Sequence, residues 1–216
     1  MKILFVSLGC DKNLADSEEM LGLLTAGGHE ITDDETQADA IVINTCCFIH
    51  DAKEESVNTI LEMAEYKKSG TCKALLVSGC MAQRYKEEIL QEVPEVDGIL
   101  GTTSYDEVSK VLAEALKGER VSDFHDLSEL PETKMRSKRL VTTGGHYAFL
   151  KISEGCNKRY YPVPAWTVPQ CADGAASRRG KGACGSGCEG TDSCRTGDDA
   201  LRRGFVWRED PAETFT

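Results

Sequence analysis

At 216 residues the chain has room for one or two domains, each with a real core. Its ten cysteines follow a start, Met1 to Leu8, whose apolar run is too short for a signal peptide, and no stretch is long enough to span a bilayer. A disulfide-stapled secreted scaffold and a membrane protein are therefore not expected; thiols in a reducing cytoplasm point instead to metal or redox chemistry. The net charge of −11 is concentrated in residues 1–159, which hold 18 Lys+Arg against 28 Asp+Glu, so direct nucleic-acid binding is not expected.

The first 118 residues alternate strand-like and helix-like segments, the pattern of an α/β layer with an open parallel sheet flanked by helices. A first apolar run spans Ile3 to Leu8. A helix from Asn13 to Ala26 follows, with Leu14, Met20, Leu21, Leu23 and Leu24 mainly on one stripe and Gly27-Gly28 as its stop. The second run, Ala40 to Asn44, leads into a helix from Asp51 to Lys68 with Val57, Ile60, Leu61 and Ala64 at core spacing and acids in its first turns. The third run is Ala74 to Ser78. Further helices are expected over Tyr85 to Val93 and Asp106 to Leu116.

Cys10, Cys46 and Cys80 each fall just after one of the three apolar runs. In a parallel sheet the carboxyl ends of the strands lie along one edge, so three thiols far apart in sequence would meet there. Convergent thiolates suit soft metals and iron–sulfur clusters. Any one of these cysteines alone reads better as a small buried hydrophobe; the threefold repetition of the placement favours ligands. Cys47, one position on, would point away and reads as structural. Cys72 reads as a spare loop thiol, and His29, His50, His125 and His146 have no ligand spacing.

Periodicity fades from Arg120, and Glu129 to Lys134 reads as a linker. A new strand from His146 to Ser153 ends in Glu154-Gly155-Cys156. The expected organisation is thus a cluster-binding domain over residues 1–120, a linker over 121–145, the opening of a second domain over 146–159 and a disordered tail over 160–216. The tail has one Leu, no Ile and no Met beside eight Gly and four Cys, too little apolar surface to offset chain entropy.

Three motifs carry a resemblance: Gly9 to Glu18 (Gly-Cys-Asp-Lys-Asn-Leu-Ala-Asp-Ser-Glu), Asn44 to Ile49 with Ala52 to Ser56, and Ser78 to Tyr85 (Ser-Gly-Cys-Met-Ala-Gln-Arg-Tyr). Together they resemble the methylthiotransferases of the radical S-adenosylmethionine superfamily, over roughly residues 1–159. Cys10-Asp11-Lys12-Asn13 resembles the branch that modifies an aspartate of small-subunit ribosomal protein twelve more than the tRNA-modifying branch. The resemblance implies a four-iron four-sulfur cluster held by Cys10, Cys46 and Cys80, with one iron open to an exogenous sulfur species. It also implies a second such cluster, with S-adenosylmethionine, on a Cys-x3-Cys-x2-Cys motif opening at Cys156. Here positions 160 and 163 are Tyr160 and Val163, neither a usable ligand, so Cys156 is a remnant that cannot hold that cluster.

Back-translated and read one nucleotide later, residues 173–183, 188–197 and 202–209 permit helix, strand and loop sequences of the kind the family's barrel carries. The tail accordingly reads as out of frame after Arg159. That reading accounts for two decoys: Gly180 to Gly185 matches Gly-x-Gly-x-x-Gly without a flanking strand and helix, and Cys184, Cys188 and Cys194 lack a fourth ligand. The expectation is a methylthiotransferase lineage, inactive as written, with no catalytic residue assigned. Two other readings compete: a non-catalytic cluster-binding module, and a nucleotide-binding α/β domain, the latter weakened by the absence of a phosphate-cradling glycine loop after the first run.

Overall fold

The computed structural model describes residues 1–125, 139–151 and, as backbone, 206–208. The described residues belong to two units, one formed by residues 1–125 with Arg139 and Leu140, the other containing the rest. In the first unit the strands are β1 (Lys2–Ser7), β2 (Glu30–Thr32), β3 (Ala40–Thr45), β4 (Ala74–Gly79), β5 (Gly98–Leu100) and β6 (Val121–Asp123). The helices are α1 (Asp11–Ala26), α2 (His50–Lys68), α3 (Cys80–Glu92) and α4 (Val108–Ala115). All strand pairs are parallel and the order is β2-β1-β3-β4-β5-β6, the α/β architecture expected from the alternation of elements.

Successive side chains of a strand point to opposite faces, and a parallel sheet buries both, which is why β3 and β4 are apolar for most of their length and buried at all six positions each. Leu4, Ile41, Ile43, Leu75 and Val77 pack with Ile60, Met63 and Ala64 of α2 and Met81, Ala82 and Ile89 of α3. Ile3, Ala40, Val42, Ala74 and Leu76 pack with Met20 and Leu24 of α1 and Val108, Val111 and Leu112 of α4. The helix after β1 thus covers one face and the helix after β3 the other, so the chain changes direction between these two adjacent strands. A crevice opens at the carboxyl ends of strands at such a switch point.

The helices largely follow the sequence pattern. α1 ends at Gly27, which caps it, and Gly28 takes φ +82°, as the Gly-Gly stop requires. α3 begins at Cys80, five residues before the expected start, because Tyr85 (φ −121°, ψ 26°) interrupts two helical pieces. Asp106 to Leu116 resolves into a short 3-10 turn, Tyr105–Glu107, followed by α4. Val121–Asp123, within the stretch read as linker, forms the sixth strand. In the second unit β7 (Tyr147–Phe149) lies within the expected strand and pairs antiparallel with β8 (Val206–Arg208), a strand in a segment read as lacking one. The other readings made on residues 126–138, 152–205 and 209–216, including Cys156, lie outside the described residues. Among the described residues no helix is long and apolar enough to cross a membrane.

Two glycines let the loops beyond β1 and β4 press against the end of β3. At Gly9 (φ +97°) a Cβ would stand 2.5 Å from Cys46 Cβ and 2.9 Å from its Sγ. At Gly79 (φ +94°) a Cβ would run into Asn44 Oδ1 and the Thr45 carbonyl, and lie 2.8 Å from the Thr45 nitrogen. Both conformations belong to the region L side chains rarely adopt, and Gly79 (ψ −162°) lies in the part that is essentially glycine's own.

Two stability measurements check this construction. Leu76, fully buried in β4, loses about 2–5 kcal/mol of unfolding free energy on Leu76→Ala, read from the midpoint of urea unfolding. Gly79→Ala costs more than Gly28→Ala in the same assay. Gly28 has φ +82° but nothing within 4 Å of its Cβ position, so its substitution carries only the conformational cost of about 1–2 kcal/mol. Equal costs would remove the close approach from the account.

Candidate metal-binding edge

The three cysteines singled out from sequence lie at the carboxyl ends of three adjacent strands. Cys10 caps the start of α1 after β1, Cys46 follows β3 directly, and Cys80 opens α3 after β4. Register sets the ends of the three strands side by side, since Ser7 pairs with Asn44, and Thr45 with Gly79, so Cys46 and Cys80 each follow a paired residue and Cys10 lies three residues past its own. Neighbouring strands are about 4.8 Å apart, so the outer two positions are separated by roughly 10 Å of backbone. Cys10 is exposed, Cys80 half-buried and Cys46 buried. Cys47 is half-buried and packs with Tyr85 against the α2–α3 face of the core. Cys72 is buried just before β4, at the other end of that strand, where its thiol donates to the Ala74 carbonyl at 3.1 Å.

A buried polar lattice holds this edge. Asn13 Nδ2 donates to the carbonyls of Leu8 (3.1 Å) and Thr45 (2.9 Å). Asn44 Nδ2 donates to the Asn13 carbonyl and to Ser17 Oγ, both at 2.9 Å. Ser56 of α2 clasps Cys46 from behind: its Oγ accepts from the Cys46 amide at 3.0 Å and donates to the Cys46 carbonyl at 2.8 Å. Buried polar groups are stable only when partnered, and here the partners are the strand ends themselves. Sequence reasoning saw Asn13 only as the start of a helix and Ser56 only as part of a motif. Asp16, Ser17 and Glu18 are buried in α1, and Glu18 pairs with Arg139, whose Nε donates to it at 2.6 Å.

The electrostatics are those of crowded thiols. Burial, first, pushes the Cys80 thiol up to about 12; Lys12 opposes this, while Cys46, Cys47 and Cys10 add to it. Burial also raises Cys47, against a hydrogen bond and charge from Arg84. The amino-terminal ends of α1 and α3 carry Cys10 and Cys80, and helix amino termini favour negative charge. For Cys80 burial outweighs this dipole. The three neighbouring thiols thus lie close enough along this edge to add to the upward shift of Cys80.

An open hollow of about 780 Å³ sits between the loops after β1 and β3, lined by Ser7 to Cys10, Cys46, Phe48, Ile49, Asp51, Ala52 and Glu55. Phe48 is 86% exposed at its rim. Among the described residues no group of three or more His, Cys, Asp or Glu side chains is arranged as a metal cage. The edge carries the three cysteines at adjacent strand ends, and their sulfurs face different neighbours: Cys46 Sγ lies against Gly9, and Cys80 Sγ donates to Asn13 Oδ1 at 3.6 Å.

Comparison with known proteins adds an independent line. The family model described as "Uncharacterized protein family UPF0004" matches residues 2–101. The ribosomal protein uS12 methylthiotransferase RimO of Lachnoclostridium phytofermentans is 65% identical over 158 residues, covering 73% of this chain and 36% of that protein. The proteins of the same name from Acetivibrio thermocellus and Symbiobacterium thermophilum are 48% and 46% identical over 170 and 157 residues, covering 76% and 73% of this chain and 37% and 32% of theirs. The chain therefore spans about a third of the length of the curated relatives it matches. With a parallel α/β sheet, three cysteines on its carboxyl edge and this degree of identity, the chain is RimO-like over about three quarters of its length.

Proposed function

We propose that the first unit is the sulfur-carrying half of a uS12 methylthiotransferase, with Cys10, Cys46 and Cys80 as the ligands of one four-iron four-sulfur cluster. The observation that carries this reading is the common edge of the three cysteines on adjacent strands β1, β3 and β4. The donor set fits: three soft thiols, two helix amino termini, and a buried Cys80 thiol that a cation would turn into a thiolate. Each cysteine has one side-chain torsion, and Cys10, being exposed, is free to swing inward. When bound, such a cluster leaves one iron open to carry the sulfur destined for the substrate. The chain's own groups supply the scaffold: Ser56 fixes the Cys46 backbone, and Gly9 and Gly79 admit the flanking loops.

The second cluster of the family does not fit. Only Cys156 of its expected triplet is present, with Tyr160 and Val163 at the other two positions, and no step is derived through it. The substrate we assign, an aspartate of ribosomal protein uS12, follows the name the relatives carry and the Cys10-Asp11-Lys12-Asn13 motif. The missing ligands favour a second reading, a non-catalytic cluster-binding module. The two are separated by the nucleotide sequence around codons 156–165: an indel there marks the chain as a frame-shifted enzyme, an intact frame marks it as a module in its own right.

Anaerobic reconstitution with ferrous iron and sulfide is expected to yield about four irons per chain, against about eight for an enzyme with both clusters. Cys10→Ala, Cys46→Ala and Cys80→Ala should each abolish most of that iron, while Cys72→Ala leaves it intact. The chain should not methylthiolate uS12 with S-adenosylmethionine and a reductant. Iron retained by all three variants would refute the ligand assignment, and turnover would refute the inactivity.

A further inference from the structure

Asn13 is 2% exposed and lies in the first turn of α1, and its side chain meets all three cysteine-bearing segments. Its two N–H groups are both committed, one to the Leu8 carbonyl before Gly9-Cys10 and one to the Thr45 carbonyl before Cys46. An amide nitrogen has no third hydrogen, so the oxygen is the atom left to face the Cys80 sulfur, at 3.6 Å. Turning the amide over would set its oxygen against two carbonyl oxygens, which fixes the orientation from the network itself. Asn44 holds the Asn13 backbone carbonyl to β3, so the side chain is anchored at its root as well.

Resting on the cluster reading above, we propose that Asn13 is the positioning residue of the three-cysteine site, tying the Cys10 and Cys46 loops together and presenting its oxygen to the Cys80 sulfur. No other small side chain does all three. Asp lacks the two donors, Ser has one, Leu has none, and Gln places the amide a methylene too far. The contact has an electronic consequence beyond geometry. On binding iron the Cys80 thiol would give up the proton it shares with this oxygen, and the amide oxygen would then set the negative end of a dipole against the ligand sulfur, favouring an oxidised, less negative cluster and lowering its reduction potential.

The test uses the full 216-residue chain reconstituted anaerobically with ferrous iron and sulfide, as wild type, Asn13→Ala and Val111→Ala. Val111 is fully buried on the α4 face, so its truncation disturbs the core without touching the cysteine edge. Two quantities are read: the chelator concentration that strips half the iron, and the midpoint potential of the cluster. Asn13→Ala should hold iron about 10–100-fold less tightly and shift the potential upward, while Val111→Ala changes neither. If Asn13→Ala fails to fold by circular dichroism, Asn13→Gln, which keeps both donors on a longer arm, should fold and show the same upward shift in smaller measure. An Asn13 variant matching wild type in both readings, or a Val111→Ala effect of equal size, overturns the assignment while the cluster reading stands. A wild-type chain that takes up no iron removes the cluster reading and this inference with it.

Discussion

Backbone touching backbone at the end of β3 is the constraint on which the edge depends. Thiols on neighbouring strand ends can share one inorganic core only if the loops carrying them do not splay. Gly9 and Gly79 prevent the splay by taking conformations that other residues avoid and by leaving no Cβ where Cys46, Asn44 and Thr45 stand. The cost is local strain and two glycines at strand ends. The sheet can sustain it because β3, the strand both loops lean on, is buried along its whole length. The core is in this sense part of the site, since a softer β3 would let the edge relax.

Charge completes the arrangement. Burial chiefly raises the Cys80 thiol and the neighbouring thiols add to this, while Lys12 and the amino terminus of α3 pull the other way. Such surroundings disfavour a lone Cys80 thiolate, and a neighbouring cation would offset that penalty. Asn13, Asn44 and Ser56 use their hydrogen bonds on the chain and not on the sulfurs, with the one exception of the Cys80 contact. That division leaves the edge rigid and its sulfurs available.

The long strands were legible because a parallel sheet buries both faces, so β1, β3 and β4 read as apolar runs and their ends marked the cysteines. β2, β5 and β6 have three residues each, too few for any period to register, and β6 fell inside an apparent linker. The start of α3 was hidden by Tyr85, whose backbone breaks the helix between two short pieces. The burial of Ser17 and Glu18 was not legible, since their tertiary partners, Ser7 and Asn44 for Ser17 and Arg139 for Glu18, lie 10, 27 and 121 residues away and polar residues are usually exposed. Asn13 was opaque for the same reason, since nothing local tells that its amide reaches residues 32 and 67 positions on.

The most direct measurement is an anaerobic crystal structure of the iron-loaded chain, with iron located by its anomalous scattering. The account predicts one compact iron site beyond the ends of β1, β3 and β4, bonded by Cys10, Cys46 and Cys80 and flanked by Asn13. Iron bound instead by Cys72, Cys156 or the cysteines beyond Arg159, or by fewer than all three edge thiols, would contradict it.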